Sequence, residues 1–255
     1  MSVIGALKRS LGIIRDNPVI LGVTFILALL GTPFIPTQEV TLESMRSLLP
    51  GILLYALFTI LTMPFFMAGI LGMAGEARKT GATSFSTFIR EGKRNYVRLL
   101  LGYVLFLIIV AVIVGVVFGG IFIVSIILLP ILLPFSPIAA LAAMTVLGIA
   151  MALIPVVVLI FILFFDVGIV LSGYGVVESF KKSFAFVKSR FVSAVGYNVL
   201  RMFIFFVLTT PMFMMIFPAA QNVLLAANLL FATLSNAILY TFHAVFYAEY
   251  ALGVK

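Results

Sequence analysis

Four long stretches of the chain contain no Asp, Glu, Lys or Arg, apart from one arginine in the last of them. They cover residues 17–38, 47–75, 99–165 and 191–248, and short basic segments separate them. A helix rises about 1.5 Å per residue, so about 20 apolar residues cross a bilayer core of about 30 Å. The first two stretches each predict one transmembrane helix, whereas the third and fourth have room for two or more.

The number of crossings in the third stretch follows from the charge on its two flanks. Residues 76–98 and 166–190 are both rich in Lys and Arg, and positive loops stay on the cytoplasmic side of a membrane. Two crossings return the chain to that side, with a turn where Pro130, Pro134 and Pro137 cannot continue a helix interior. A similar turn near Pro218 divides the fourth stretch. The predicted transmembrane helices are 17–36, 47–75, 98–129, 138–166, 191–217 and 220–249.

This arrangement predicts a multi-pass protein of the inner cell membrane with both termini in the cytoplasm. All sixteen Lys and Arg residues except Arg46 and Arg201 then lie on the cytoplasmic side or in its loops. A cleaved signal peptide is the alternative for the first stretch, because Lys8, Arg9 and Arg15 precede it. Its apolar run is longer than that of a signal peptide and lacks a clear Ala-x-Ala site, so a retained helix is favoured.

The composition agrees with membrane insertion and excludes several classes of protein. Hydrophobic residues make up 64% of the chain and charged residues 9%, and the mean hydropathy is +1.33, whereas a soluble domain has about 25% charged residues. The lack of cysteine and the single histidine exclude thiolate, disulfide and His-rich metal sites. The net charge of +8 is divided among basic segments, so we expect lipid headgroups rather than nucleic acid as its partner.

Three amphipathic segments precede the predicted helices 17–36, 98–129 and 191–217. Val3, Leu7, Leu11 and Ile14 share a helical face in the first segment, and the segments 85–96 and 177–191 have related spacing. Such helices lie in the membrane interface with their basic side toward anionic headgroups. The residues predicted to bind headgroups at the cytoplasmic face are Lys8, Arg9, Arg15, Arg90, Lys93, Arg94, Lys181, Lys182 and Lys188.

Each amphipathic segment and the two helices after it can be read as one unit of a threefold internal repeat. The units cover 1–75, 83–166 and 176–250 within a single transmembrane domain, 1–255. Aligning Asn17, Asn95 and Arg190 brings the three segments into register, and such units would be related by an axis along the membrane normal. The alternative is that any loop on this side of a six-helix protein is basic and amphipathic, without a repeat.

Short basic and aromatic motifs carry a family resemblance. They are Gly5-Ala6-Leu7-Lys8-Arg9-Ser10 before Asn17-Pro18, Phe88-Ile89-Arg90-Glu91-Gly92-Lys93-Arg94-Asn95-Tyr96, and Glu178-Ser179-Phe180-Lys181-Lys182-Ser183-Phe184. The chain resembles a loosely defined group of uncharacterised six-helix prokaryotic membrane proteins, frequent in archaea. That group is similar to the membrane domain preceding glycerophosphodiester phosphodiesterases in some bacteria. The resemblance implies a six-helix membrane fold, and no phosphodiesterase activity follows from it because no catalytic domain is present in this sequence.

Polar residues cluster on the fifth and sixth predicted helices. Arg201 lies about 16 Å along the fifth helix from Arg190, near the bilayer middle, where an arginine needs protein or water around it. The sixth helix carries a polar stripe opposite an apolar arc that is expected to face lipid. The residues predicted to line a pathway are Asn198, Arg201, Asn228, Asn236, Tyr240 and His243. The alternative is that they form interhelical hydrogen bonds, each worth well under about 2 kcal/mol.

The other polar and small residues have simpler interpretations. Asp166 and Glu249 end the fourth and sixth helices, where snorkelling or pairing with interfacial lysines is expected. Glu76 and Glu91 are expected to be solvated among basic residues. Glycines on the second and third helices permit close helix contact, and these are Gly69, Gly72, Gly75, Gly115, Gly119 and Gly120.

The sequence contains no catalytic motif, so neither an enzyme nor a cofactor or metal site is expected. The predicted fold is all-α: six transmembrane helices and three interfacial amphipathic helices. The predicted function is a channel- or transporter-like pathway for an ion or small solute, lined by the fifth and sixth helices. The alternative is a non-transporting membrane scaffold, sensor or accessory subunit acting through its amphipathic helices. Both are compatible with a homo-oligomer.

Overall fold

A computed structural model describes residues 2–31, 42–134, 136–213 and 221–253. Within these ranges the chain forms helices and no strand, so the all-α prediction is confirmed. The helices in chain order are α1 (Val3–Asp16), α2 (Val19–Gly31), α3 (Leu42–Thr80), α4 (Phe85–Leu132), α5 (Pro137–Ile162), α6 (Phe165–Ser172), α7 (Val176–Ser189), α8 (Phe191–Phe213) and α9 (Gln221–Tyr250).

Among the described residues, five helical segments are long and apolar enough to cross a membrane. The helices α1 and α2 meet at a bend of 92° and supply a sixth if the two together form one span. The chain therefore has several apolar helices that could span a membrane, whereas the count of six is left open. The five segments are Leu49–Thr80, Phe85–Leu132, Pro137–Ser172, Phe191–Leu208 and Ala226–Tyr250.

The bend between α1 and α2 is held by Asn17, which caps α1. Its side-chain amide donates to the carbonyls of Ile13 and Gly81, and its Oδ1 accepts from the Thr83 N–H at 2.8 Å. Both ends of this amide are therefore used, and the bend is tied to the turn between α3 and α4. The chain can change direction there without leaving these groups unpaired.

The second amphipathic segment differs from the prediction. Residues 85–96 are the first turns of α4, a single helix of 48 residues that is about 72 Å long. A Cβ added to Gly72 would lie 2.5 Å from the Glu91 Cβ, and one added to Gly69 would lie 2.2 Å from the Phe88 ring. The two glycines thus let α3 and α4 pack closely from the first turns of α4. The expectation of a separate interfacial helix here is wrong, and only α1 and α7 remain as short amphipathic helices in the described ranges.

The fourth predicted transmembrane helix contains an interruption between α5 and α6. The Ser183 hydroxyl on α7 accepts from the Phe164 N–H at 3.1 Å and donates to the Phe161 carbonyl at 2.8 Å. A break at membrane depth frees backbone groups that lipid cannot satisfy. One serine from a neighbouring helix supplies both missing partners. The helix α5 can therefore end at Ile162 and α6 begin at Phe165 without unpaired backbone groups at Phe161 and Phe164.

The helix α9 is the centre of the bundle and packs against α1, α2, α3, α6 and α8. In its most apolar stretch 56% of the residues are buried, against 6% in α4. The apolar arc of α9 was expected to face lipid, and Leu230 is indeed exposed, but Phe242 and Val245 are fully buried. That expectation is wrong for the second half of α9, because other helices surround it on all sides.

Candidate functional site

Three polar side chains from three helices form a buried chain of hydrogen bonds. The Tyr197 hydroxyl on α8 lies 2.6 Å from the His243 Nδ1 on α9, and the His243 Nε2 lies 3.0 Å from the Asp166 Oδ1 on α6. Tyr197, His243 and Asp166 are all buried. Both ring nitrogens of the histidine therefore have a partner, and we call these three residues the relay.

The relay forms because its members lie at the same level of the bundle. Asp166 and His243 each lie about two turns before the ends of α6 and α9, and Tyr197 lies about two turns after the start of α8. Two turns of helix are about 10 Å. Since α8 runs opposite to α6 and α9, these offsets place all three side chains about 10 Å below the end of the molecule that carries α1 and α7. We call that end the basic face.

The break between α5 and α6 determines where the carboxylate of Asp166 lies. It lies in the first turn of α6, where its Oδ1 also accepts from the Val167 N–H at 2.7 Å. The first N–H groups of a helix lack partners within the helix, and the helix dipole favours a negative charge there. The sequence interpretation, an aspartate snorkelling or paired with interfacial lysines, is therefore wrong. Its partner is the histidine.

Aromatic rings enclose the relay and fix the imidazole. The Phe164 ring stacks on His243 at 5.0 Å between centroids and 14° between planes, and Phe246 stacks on Tyr197 at 4.5 Å. Stacked rings of this kind exclude water and restrict rotation of the histidine. The hydrogen bonds of the relay consequently act in a medium of low dielectric constant, where they are strong.

Arg201 lies one helical turn beyond Tyr197 on α8 and is half-buried. Its guanidinium interacts electrostatically with Tyr197, Asp166, Tyr240 and Tyr103. An arginine keeps its charge in almost any environment, so this guanidinium is a fixed positive charge beside the relay. The structure brings three of the predicted pathway residues, Arg201, Tyr240 and His243, together around two residues that the sequence analysis did not select, Asp166 and Tyr197. Their role as a pathway stays a prediction.

The remaining predicted pathway residues, Asn198, Asn228 and Asn236, are not members of the relay. The Asn198 amide donates to the Ala194 carbonyl of its own helix at 2.9 Å. Asn236 is half-buried two turns before His243, and Asn228 is buried about 22 Å before it along α9. Asn236 and Asn228 continue the polar side of α9 away from the basic face.

A second buried charge cluster joins the end of α9 to α1 and α3. The Arg9 guanidinium donates through Nε and a terminal nitrogen to both carboxylate oxygens of Glu249. The Arg78 Nε lies 4.0 Å from the same carboxylate, which is fully buried. Bidentate pairs are the strongest geometry for arginine and carboxylate. Glu249 therefore binds arginines, not the interfacial lysines expected from its place at the helix end.

A third cluster joins the start of α4 to the end of α3. Glu76 accepts from the hydroxyls of Thr83 and Thr87 and pairs with Arg90 at 3.0 Å. Glu91 is buried and pairs with Arg94 at 2.7 Å. The expectation that both glutamates are solvated is wrong. They compensate arginines along the closely packed α3–α4 contact.

The residues predicted to bind headgroups are all exposed at the basic face. Several of the arginines also make ion pairs: Arg9 with Glu249, Arg15 with Asp16, and Arg90 and Arg94 with Glu91. None of the five lysines of the set makes an ion pair among the described residues. Headgroup binding stays a prediction for the whole set. The five lysines are its strongest candidates, because no carboxylate in the described ranges neutralises their charge.

The chemistry within reach of the relay is proton transfer. An imidazole that bonds a carboxylate on one nitrogen and a phenol on the other can receive a proton on one side and release one on the other. Within the described ranges, no three His, Asp or Glu side chains are grouped so as to hold a metal ion.

Long apolar helices around a buried ionisable network are the features of a multi-pass α-helical membrane protein. The chain belongs to the family described as "Domain of unknown function (DUF7847)", whose model matches residues 1–252. No curated protein matches the chain, and no solved structure does.

Proposed function

We propose that the protein provides a channel- or transporter-like pathway for an ion or small solute between α8 and α9, with the proton as the first ion to test. The observation that carries this proposal is the relay of Asp166, His243 and Tyr197. An ionisable chain at membrane depth costs free energy to maintain, and such chains in other membrane proteins conduct protons or couple transport to them.

Polar positions extend from the relay along most of α9. Beyond Tyr240 the helix carries Asn236, Thr233 and Asn228 on the side that packs against other helices. On the other side of the relay lies the basic face, about 10 Å away. This continuity supports a route that runs along α9, with Arg201 beside it as a fixed positive charge that disfavours other cations.

The proposed topology has six transmembrane helices, both termini in the cytoplasm and the protein in the inner cell membrane. Charge distribution supports it, since the basic face carries the Lys and Arg residues of α1, α7 and the first turns of α4. The bent α1–α2 pair supplies the first crossing in this proposal.

The natural absence of cysteine makes the topology directly testable. Single cysteines at Ser2, Ser136 and Gly253 can be labelled with a membrane-impermeant maleimide in intact cells and in inverted vesicles. Six crossings predict labelling of Ser2→Cys and Gly253→Cys only in inverted vesicles, and of Ser136→Cys only in intact cells. Labelling of Ser2→Cys and Gly253→Cys on opposite sides would require an odd number of crossings and reject the topology.

Transport is tested by flux into proteoliposomes that contain the purified full-length protein. A pH-sensitive dye reports protons, and a panel of ions and small solutes covers the wider proposal. The variant Arg201→Leu/His243→Leu removes the charge and the titratable ring, while Thr145→Val removes one exposed hydroxyl from α5 as a control. We expect flux in the wild type and in Thr145→Val and none in the double variant. No flux above that of empty liposomes, across the panel and a range of pH, would reject the proposal.

A non-transporting membrane scaffold, sensor or accessory subunit is the second candidate. The observation that favours it is the pair of amphipathic helices α1 and α7, each with exposed apolar residues, such as Leu11 and Phe184, beside exposed lysines. A scaffold tolerates Arg201→Leu and Asn236→Leu without loss of function, and a pathway does not. Unchanged growth or partner binding in both variants would favour the scaffold.

A further inference from the structure

A cavity of about 550 Å³ opens at the basic face, where α7 meets the last turn of α9. Its volume is within the range of about 300–1,000 Å³ that small-molecule sites occupy. The polar residues that line it are Tyr174, Lys182, Ser189, Arg190, Tyr247 and Tyr250. It lies outside the relay, although Tyr247 is one turn from His243.

The cavity carries two positive charges and no acidic residue in its lining. The Lys182 Nζ lies 5.7 Å from the centre of the Tyr174 ring, which holds the ammonium group over the aromatic face. The backbone of Arg190 is fixed, because its N–H bonds to the carbonyls of Phe186 and Val187 at the end of α7. Neither cation makes an ion pair within the described part of the chain, so both charges are left for an anion.

The other lining groups suit an anion that has an organic part. The Tyr174 hydroxyl adds a neutral O–H donor on the ring that Lys182 covers, and phosphate binds best where charged and neutral donors converge. Phe186 and Leu252 supply an apolar wall on another side of the same cavity. A bare inorganic cation would find no ligand of opposite charge here, and a purely apolar ligand would leave both cations unpaired.

We propose that this cavity binds the phosphate group of a phosphate ester, with Lys182 and Arg190 as its charged ligands. The ester is either the headgroup of an anionic phospholipid or a soluble phosphate compound, and the chemistry of the site is the same for both. This site differs from diffuse attraction of headgroups to the basic face, because Lys181 and Lys188 lie on the same helix but do not line the cavity.

That difference supplies a matched control. The variant Lys182→Gln/Arg190→Gln removes two positive charges from the cavity, and Lys181→Gln/Lys188→Gln removes two from the same helix outside it. In neutral detergent, calorimetry measures binding of inorganic phosphate at constant ionic strength set with chloride. Native mass spectrometry measures phosphatidylglycerol retained by the protein from micelles that also contain phosphatidylcholine. Circular dichroism checks that each variant is folded. The variant Lys182→Arg keeps the positive charge in the cavity and is measured as well, in case Lys182→Gln/Arg190→Gln does not fold.

We expect the cavity variant to weaken binding about tenfold or more, because each lost charged hydrogen bond is worth more than the free energy of one tenfold step. The control variant is expected to change binding less than about threefold, and Lys182→Arg to retain it. Binding of phosphate alone would identify a soluble ligand, and binding of phosphatidylglycerol alone a lipid. Equal losses in the two double variants, or no preference of the wild type for either probe over chloride and phosphatidylcholine, would overturn the proposal. The result is independent of the flux measurement, since it does not use the relay.

Discussion

The two halves of the α4–α5 hairpin differ sharply in what surrounds them. Near the basic face, Leu99 of α4 and Ile162 of α5 are fully or almost fully buried in a core that also contains α6, α7 and α9. In the far half, Phe118, Phe122 and Leu141 are more than 60% exposed. The far half has few polar groups, whereas the relay and both ion clusters lie beside the near half, on the side of the molecule toward the basic face. We use near half and far half below for these two parts of the whole molecule.

This contrast separates a part of the protein with an exposed apolar surface from a part that contains buried polar and charged side chains. Lipid is as apolar as leucine, so exposed apolar helices need no protein partner in the far half. Buried charges near the basic face are different, because each one must have a partner within the protein. We therefore expect substitutions in the near half to change stability and function, and similar substitutions in the far half to change little.

The largest effect on stability is expected for Glu249→Gln. The change removes the carboxylate charge that faces Arg9 and the mostly buried Arg78, and breaking a buried ion pair costs about 3 kcal/mol. The free energy of unfolding can be measured by SDS titration with circular dichroism. Glu178→Gln, an exposed carboxylate on α7, is the control and should change it by less than about 0.5 kcal/mol. Equal effects of the two substitutions would contradict the importance of the Glu249 cluster.

Two glycines on neighbouring helices test the packing contrast directly. An added Cβ at Gly72 meets Glu91 at 2.5 Å, whereas one at Gly119 meets nothing within 4 Å. Gly72→Ala should destabilise by about 2 kcal/mol because α3 and α4 must separate, and Gly119→Ala should be neutral or stabilise by up to about 1 kcal/mol. The same SDS titration measures both. Destabilisation by Gly119→Ala as large as that by Gly72→Ala would show that the far half is packed as tightly as the near half.

A smaller effect is expected from removing a hydroxyl at the helix break. Ser183→Ala leaves the Phe164 N–H and the Phe161 carbonyl without their partner, at a cost of about 1–2 kcal/mol. Thr145→Val on exposed α5 removes only a bond to its own helix carbonyl and should cost almost nothing. Hydrogen exchange at Phe164 should also accelerate in Ser183→Ala. No change in either quantity would mean that Ser183 does not hold the break.

The sequence predicts most of the fold because long apolar runs and basic loops are strong signals. The apolar core of each helix and the turn near Pro134 follow from them, as does the amphipathic character of α1 and α7. The continuity of α4 does not, because an amphipathic segment has the same periodicity whether or not it joins the next helix without a break. The close contact of Gly72 with Glu91, which packs this segment on α3, is not visible in the periodicity either. Local pattern predicts elements, whereas contacts between helices decide whether neighbouring elements merge.

The candidate site was predictable only in part. Arg201, Tyr240 and His243 could be selected because polar residues on apolar helices are conspicuous. Asp166 could not, because the break that buries it has no proline or glycine and relies on Ser183, which comes from another helix. Tyr197 was missed for a related reason. A tyrosine within an apolar helix is ordinary until a partner such as the His243 Nδ1 lies beside its hydroxyl.

The most direct test of the proposed role of the relay is proton flux in Asp166→Asn. This change keeps the size of the side chain and removes the carboxylate charge that bonds the His243 Nε2. A functional relay predicts that proton flux into proteoliposomes is lost while circular dichroism shows a folded protein that inserts normally. Unchanged proton flux in folded Asp166→Asn would contradict it and assign the Asp166–His243–Tyr197 chain to helix packing alone.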